Sequence, residues 1–366
     1  MHLAKDSPEI SPEITASDDA PARGKTAHNK ISLRVLIDAR KITDGGIGRY
    51  IASLLNALEP EDISITALIL PQQRLLLSSA FTPLVTHLKP FSLRSFLGLS
   101  AQIPWGLFDV YHSPHFLLPR RVPIPSVVTV HDAIPVSHPV NFLHQRVMSY
   151  LLARLQNDAT RVIAVSKSSA ARLKELVGLS TEVVENILPF PTEALPAEHA
   201  RSAQAPYVVG VFSNGKSHKG QEKFAKVCND CGVHGVAIGR GAALLDGMPN
   251  ITYLSEMPWE KLLEIYRGAQ ALLVCSSVEG FCLPAMEAKA LGVRVVSTPE
   301  PAVLELLDYN DEIAKDFSSA ALSIALRRAL SRPQTGYRWQ RGEDLYPQRI
   351  AKKILNVYNS ALEYPH

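Results

Sequence analysis

Residues 276–287 read Ser276-Ser277-Val278-Glu279-Gly280-Phe281-Cys282-Leu283-Pro284-Ala285-Met286-Glu287, two carboxylates bracketing a glycine and a proline. They follow Ala271–Cys275, an apolar run too short for a helix and suited to a buried strand. Pro284 fits a first helical position, because its fixed φ matches a helix and its missing N–H costs nothing there. Gly280 lets backbone approach a ligand closely. Strand, glycine turn and helix start together present free N–H groups and the positive end of a helix dipole. That is an anion site, and a nucleoside diphosphate fits it. Glu279, in the turn, is placed to accept hydrogen bonds from hydroxyls beyond the phosphates. Glu287, about one turn into the helix, is placed to take two vicinal ribose hydroxyls. Either glutamate alone would read as a solvated charge; the pair, with its Gly and Pro, reads as a site.

Other reactive residue types carry weaker signals. His131 closes the apolar run Val127–His131, at the strand end where α/β sheets bind ligands. Most of the twelve histidines, including His112, His115 and His138, fit strand ends and proline-flanked turns rather than a metal cluster. Cys228-Asn229-Asp230-Cys231 has C-x2-C spacing but no partner pair, so a helix end explains it better than zinc or redox chemistry. Phe91–Phe108 is apolar enough to lie on a membrane, yet it has one basic residue, Arg94, which favours buried packing.

These groups need a scaffold of strands. From Leu33 onward short apolar runs alternate with helical patterns: Arg34–Ile37, Ile63–Leu70, Asp109–His112, Val127–His131 and Val162–Ser166, with helices at Ile47–Leu58 and Ser168–Leu176. A second series runs Tyr207–Phe212, Gly235–Ile238, Ile251–Leu254, Ala271–Cys275 and Val293–Ser297, with helices at Gln221–Cys228, Trp259–Ala269 and Pro284–Leu291. A last helix is expected over Gln348–Leu362. Such alternation predicts parallel doubly wound sheets. The α/β chain of 366 residues therefore divides into a disordered extension (1–30), an N-terminal Rossmann-like domain (31–190), a proline-rich linker (191–206), a C-terminal Rossmann-like domain (207–343) and a terminal helix (344–366). The cleft between the two domains is the expected ligand site. A net charge of +3 gives no reason to expect nucleic acid, and four cysteines suit a reducing compartment. No run approaches the length of a spanning helix. The cytoplasm is the expected location, with a peripheral place at the inner face of a membrane as an option.

Glu279 to Glu287 resembles the E-x7-E motif of the retaining GT-B glycosyltransferases of family four, usually EGFGLP followed by an alanine-rich glutamate helix. Asp38-Ala39-Arg40 with Gly45-Gly46-Ile47-Gly48-Arg49-Tyr50 resembles that family's first-strand glycine loop. Tyr111–His115, Val128–Asp132 and Ala164–Ser169 resemble further turns of its N-terminal domain. The resemblance extends from about Leu33 to the C-terminus. It implies two Rossmann-like domains facing across a cleft, with the terminal helix crossing back to the first. It implies catalytic roles for Glu279, facing the donor sugar, and for His131, across the cleft. Lys219, Gly280, Phe281, Cys282, Leu283 and Glu287 would hold the donor. Gly45, Gly46, Arg49 and Asp132 would lie on the acceptor side.

The resemblance further implies transfer with retention and without an obligatory metal or cofactor; the sequence agrees in having no Asp-x-Asp pair. Implied partners are a nucleotide-sugar donor, with a hexose and mannose favoured, and a glycan or polyprenyl-diphosphate-linked acceptor. The mildly basic N-terminal domain, fifteen Lys/Arg against eleven Asp/Glu over residues 31–190, suits such an acceptor. Three departures stand out. Cys282 replaces a usual glycine. Lys289 and Arg294 replace usual apolar residues or proline. Ser213 stands where the family has a phosphate-binding arginine, which makes Lys216 the candidate substitute. An inactive nucleotide-sugar binder and a nucleotide-sugar epimerase of the same fold therefore stay open as alternatives.

Overall fold

The computed structural model describes residues 32–190, 206–212, 216–332 and 338–363. The expected extension (1–30), nearly all of the expected linker, and Ser213 lie outside the described residues. Two parallel sheets account for the strands. The first has seven, β1 (Leu33–Asp38), β2 (Ile63–Ile69), β3 (Thr82–Val85), β4 (Val110–Ser113), β5 (Ser126–Val130), β6 (Arg161–Ala164) and β7 (Glu182–Val183), in the order β3-β2-β1-β4-β5-β6-β7. The second has six, β8 (Tyr207–Val211), β9 (His234–Ile238), β10 (Ile251–Leu254), β11 (Ala271–Val274), β12 (Val295–Ser297) and β13 (Glu312–Ile313), in the order β10-β9-β8-β11-β12-β13. Each order reverses once, between β1 and β4 and between β8 and β11. Ligands of open α/β sheets bind at such reversals, beyond the carboxyl ends of the strands.

The central strands are apolar on both faces because helices cover both. Val35, Leu36 and Ile37 are fully buried, as are Val127, Val128 and Val130. Helix Gly45–Leu58 turns Ile51, Leu54, Leu55 and Leu58 inward, the stripe a 3.6-residue period produces. Helix Pro347–Glu363 buries Ile350, Ala351, Ile354, Val357, Tyr358 and Ala361. It packs on helix Gly45–Leu58 and on β4 and β5, so the end of the chain lies against the first sheet's domain. Both sheets belong to one compact unit that begins at Leu33.

Several elements differ from the sequence reading. β3 contains Pro83, which reads as a strand breaker, but it is an edge strand, where a missing N–H costs no ladder bond. Gly45 and Gly46 form the first turn of a helix rather than a preceding loop. Phe91–Phe108 is only partly packed: Leu99 and Ile103 are buried, while Phe91, Leu93, Leu97 and Leu107 are exposed. Helix Phe142–Ala153 was not foreseen, because its one fully buried side chain is Leu152 and no inward stripe marks it. Lys289 is fully buried and pairs with Asp308 at 3.0 Å and Asp311 at 2.6 Å, which accounts for a charge at an apolar position. Cys228 is buried, and Cys231 reaches the Ser323 carbonyl, so the C-x2-C pair serves packing.

Candidate functional site

Glu279 lies in the turn after β11, and Lys219 in the turn after β8, so the sheet's reversal brings them together. Lys219 Nζ donates to both carboxylate oxygens of Glu279 at 2.7 Å. Ser276 Oγ donates to the same carboxylate at 2.6 Å. Burial opposes the Lys219 charge, but the Glu279 carboxylate outweighs it and raises the ammonium's pKa. His218, next in the loop, is pushed down to about 4 by burial and then by Lys219, so it is neutral near pH 7. Lys216 is exposed on the same loop and close enough to act electrostatically on Asp132.

Gly280 is fixed by close approach. A Cβ there would sit 2.2 Å from the carbonyl oxygen of His131, in the other domain. Its own carbonyl accepts from Ser166 Oγ at 2.6 Å and Ser169 Oγ at 2.8 Å. These serines open helix Lys167–Val177, where Ser166 Oγ also caps the amide of Ser169. Phe281 is buried, and the next helix runs Leu283–Ala290, placing Pro284 second rather than first. Cys282 caps it with φ 75°, in the left-handed region. That geometry explains why glycine is usual at this place. Leu283 faces Gly46 across the cleft, with 3.9 Å to a Cβ built there. Gly45, at φ 46°, has open space around it.

Glu287 is buried, not solvated. Arg49 Nη1 donates to it at 2.5 Å and Tyr266 OH at 3.0 Å. Burial still raises its pKa against the pull of Arg49. Arg49, expected on the acceptor side, thus reaches from the first domain to the second and ties Glu287 to helix Gly45–Leu58. Across the interface, His131 Nε2 meets the Pro114 carbonyl at 3.0 Å, and its ring packs edge-on against Tyr50. Burial lowers its pKa to about 4. The imidazole is therefore neutral near pH 7: Nε2–H donates to Pro114 and Nδ1 keeps an acceptor lone pair. Burial raises the pKa of Asp132, whose Oδ1 accepts the Ile134 amide at 2.8 Å.

Two residues the sequence reading passed over grip Glu279 by its backbone. Arg172, in helix Lys167–Val177, donates to the Glu279 carbonyl at 3.1 Å and to Glu300 Oε1 at 3.2 Å. Glu300 accepts the Glu279 amide at 3.2 Å. In sequence each is a single charge among many; only the fold joins them. Glu305 likewise accepts the amides of Lys167 at 3.0 Å and Ser168 at 2.6 Å, holding the start of that helix from the other domain.

Two nucleotide-binding-type sheets, their reversal points turned toward one interface, define the GT-B glycosyltransferase architecture. Solved structures agree. Sucrose-phosphate synthase from Thermosynechococcus elongatus superposes with a TM-score of 0.70 at 16% identity, covering 91% of this chain and 99% of that one. Anabaena Alr3699/HepE, in complex with UDP and glucose, gives 0.65 at 16% identity, covering 90% and 100%. WaaG, a glycosyltransferase of lipopolysaccharide biosynthesis, gives 0.64 at 13%, covering 89% and 99%. In sequence, the family model Glycosyltransferase Family 4 matches residues 44–188, and Glycosyl transferases group 1 matches residues 241–343. Each domain thus matches a glycosyltransferase model, and the chain is a glycosyltransferase of GT-B fold. The O-antigen chain mannosyltransferase RfbU of Salmonella typhimurium is 23% identical over 318 residues, 82% of this chain and 88% of that protein.

Proposed function

We propose that the protein is a retaining, metal-independent hexosyltransferase that moves mannose from a nucleoside-diphosphate sugar to a glycan or polyprenyl-diphosphate-linked glycan. One observation carries this reading: Glu279 and Lys219 meet beside a helix start, and the adjoining Gly280 packs directly against the His131 backbone of the other domain. The arrangement suits charge development at a leaving diphosphate. Lys219 would exchange Glu279 for the phosphates, joined by the amides of Phe281 to Leu283 and by Lys216 in place of the absent arginine. Preorganised donors of this kind are typically worth about 2.7–4 kcal/mol each. Freed Glu279 would face sugar hydroxyls, and Glu287 the ribose. The neutral His131, with Asp132, Gly45 and Gly46, would face the transferred sugar and acceptor. Tight closure excludes water that would hydrolyse the donor. Among the described residues no side chain at the site is a persuasive nucleophile for double displacement, which supports retention by attack on the leaving-group side. The mannosyltransferase relative supports mannose and a glycan acceptor, and the UDP and glucose complex of a fold neighbour supports a nucleotide-sugar donor. No helix among the described residues is long and apolar enough to cross a membrane. A cytoplasmic protein working at the inner membrane face fits the lipid-linked acceptor.

A screen of nucleoside diphosphates and their sugars by thermal shift identifies the donor, since a ligand at 100 times its Kd adds about 2.7 kcal/mol. Transfer is then followed in EDTA, with the product's anomeric configuration read by NMR. The expected product keeps the donor configuration, forms in EDTA, and is lost in Lys219→Ala. Inversion, or activity restored only by magnesium or manganese, contradicts the mechanism. Tight nucleotide binding without transfer identifies a binding-only protein, and release of an altered sugar without acceptor identifies an epimerase.

A further inference from the structure

The carboxylate of Glu287 is already occupied. Arg49, from the first domain, donates to its Oε1 from Nη1 at 2.5 Å. Only that one nitrogen of the guanidinium is engaged; Nε and Nη2 make no hydrogen bond among the described residues. The Arg49 side chain is 36% exposed and lines a small cavity with Asn186, Leu283 and Glu287, so a ligand can reach the unused donors. Asn186, also from the first domain, is 4% exposed, and its Oδ1 has no hydrogen-bond partner among the described residues. An unmet acceptor beside a carboxylate suits a ligand that brings hydroxyls. Unused guanidinium donors beside them suit one that also brings anionic oxygens. The ribose and diphosphate of a nucleotide bring both.

The helices set the distance. Gly46 and Arg49 lie one turn apart in helix Gly45–Leu58, as Leu283 and Glu287 do in helix Leu283–Ala290. Gly46 faces Leu283 and Arg49 meets Glu287, so the two helices start side by side. Arg49 therefore stands one turn, about 5.4 Å, inside the helix start whose amides would hold the diphosphate. Its long side chain spans that distance while its helix stays in place. Charge keeps it in the site. When ribose hydroxyls take Glu287, neutral groups replace a cation on a buried carboxylate, and an anionic diphosphate arrives beside it. Both changes are costly unless the guanidinium remains close.

We infer that Arg49 passes from Glu287 to the leaving diphosphate when the donor binds. The domain expected to serve the acceptor thus supplies a cation for the departing group, and Asn186 of the same domain accepts a ribose hydroxyl. The inference rests on the nucleotide-sugar reading of the site and adds to it a donor contact made only when the domains are closed.

ADP, CDP, GDP, UDP and dTDP are titrated calorimetrically into wild type, Arg49→Met, Glu287→Gln and the double variant, and the nucleosides are measured by competition. The Glu287→Gln background removes the buried carboxylate that Arg49→Met alone would leave unpaired. In that background Arg49→Met should weaken the preferred diphosphate about tenfold or more, as loss of a charged hydrogen bond does, and its nucleoside less than about twofold. Single-turnover transfer should fall about 100-fold or more relative to Glu287→Gln. Asn186→Ala should weaken nucleoside and diphosphate by the same factor, and unchanged affinity for both overturns its part. No further loss on adding Arg49→Met to Glu287→Gln overturns the inference and makes Arg49 a brace for Glu287. Tighter diphosphate binding by the double variant than by Glu287→Gln also overturns it, by making the guanidinium a plug that the donor must expel. A wild type that binds none of the five diphosphates overturns the nucleotide-sugar reading, and this inference with it.

Discussion

Cys282 combines a side chain with a left-handed backbone, φ 75° and ψ 72°, at the start of the helix that carries Glu287. An L-residue pays about 1–2 kcal/mol for that conformation, and glycine pays little. Cys282→Gly should therefore unfold at higher urea than Cys282→Ala, by roughly 0.5–1 kcal/mol once glycine's extra unfolded-state freedom is subtracted. This reverses the usual order for a buried site, where the smaller residue leaves the larger cavity. An alanine variant more stable than the glycine variant would mean the turn relaxes without strain. Arg172 makes a second residue-scale case. It holds the Glu279 carbonyl and Glu300, which in turn holds the Glu279 amide. Arg172→Ala should lower kcat about 10- to 100-fold, the equivalent of one charged hydrogen bond of about 1.5–3 kcal/mol. Nucleoside diphosphate affinity by calorimetry should stay within about twofold, because the arginine touches Glu279 and not the helix start. A fall in affinity equal to the fall in kcat would make Arg172 structural. The glutamate pair was legible in sequence because a strand, a glycine, a proline and two carboxylates fall within one short run. Arg172, Glu300 and Tyr266 were not, because their partners lie far along the chain and a lone charge or tyrosine carries no local pattern.

Among the elements, helices and strands that bury one stripe or both faces could be read from periodicity, as with Gly45–Leu58 and β1. Those governed by edges or by what they leave exposed could not, as with β3 and helix Phe142–Ala153. The terminal helix Pro347–Glu363 shows how an element is tied down once its apolar stripe has placed it. Tyr358 OH meets His112 Nδ1 at 2.7 Å, His112 Nε2 meets Thr129 Oγ1 at 2.9 Å, and Tyr50 OH reaches the same threonine at 3.2 Å. The chain of bonds is buried, and it joins the last helix to β4, β5 and the helix that carries Arg49. Tyr358→Phe leaves a buried imidazole nitrogen without its partner and should cost about 1–3 kcal/mol in denaturant unfolding. A cost near zero would show that water or a shifted ring satisfies it. Burial also holds His112 near 3 and His131 near 4, below the ordinary 6.5. Between about pH 6.5 and 4 the unfolded chain binds protons that the folded one refuses. Stability is therefore lost as pH falls through that window, by at most about 1.4 kcal/mol per pH unit for each ring. His112→Gln should lose stability less steeply than wild type over the same window, and parallel curves would exclude His112 as the source.

At the scale of the whole molecule, the two domains are joined through side chains that no single-domain reading would pair. Ser166 and Ser169 hold the Gly280 carbonyl, Arg49 holds Glu287, and Glu305 holds the first amides of helix Lys167–Val177. The first two use residues of the candidate site, so altering them confounds closure with binding. Glu305 does not touch that site, and its partners are the amides of Lys167 and Ser168. A carboxylate at a helix N-terminus contributes about 0.3–1 kcal/mol, and up to about 2 where partly buried. If the domains exchange between closed and open arrangements, removing about 1 kcal/mol from the closed one shifts their ratio about fivefold. Glu305→Ala should then raise the radius of gyration in small-angle scattering, with each domain's fold intact by circular dichroism. Saturating nucleotide sugar should restore the wild-type value, because a ligand gripped by both domains favours the closed arrangement by its differential affinity. Turnover should fall through KM for the donor more than through kcat, since the closed complex, once formed, keeps Lys219 and Glu279 in place. Unchanged scattering with a lowered melting temperature would instead make Glu305 a helix cap that happens to come from the other domain, and closure would rest on the remaining bridges from Arg49, Arg172 and the serines.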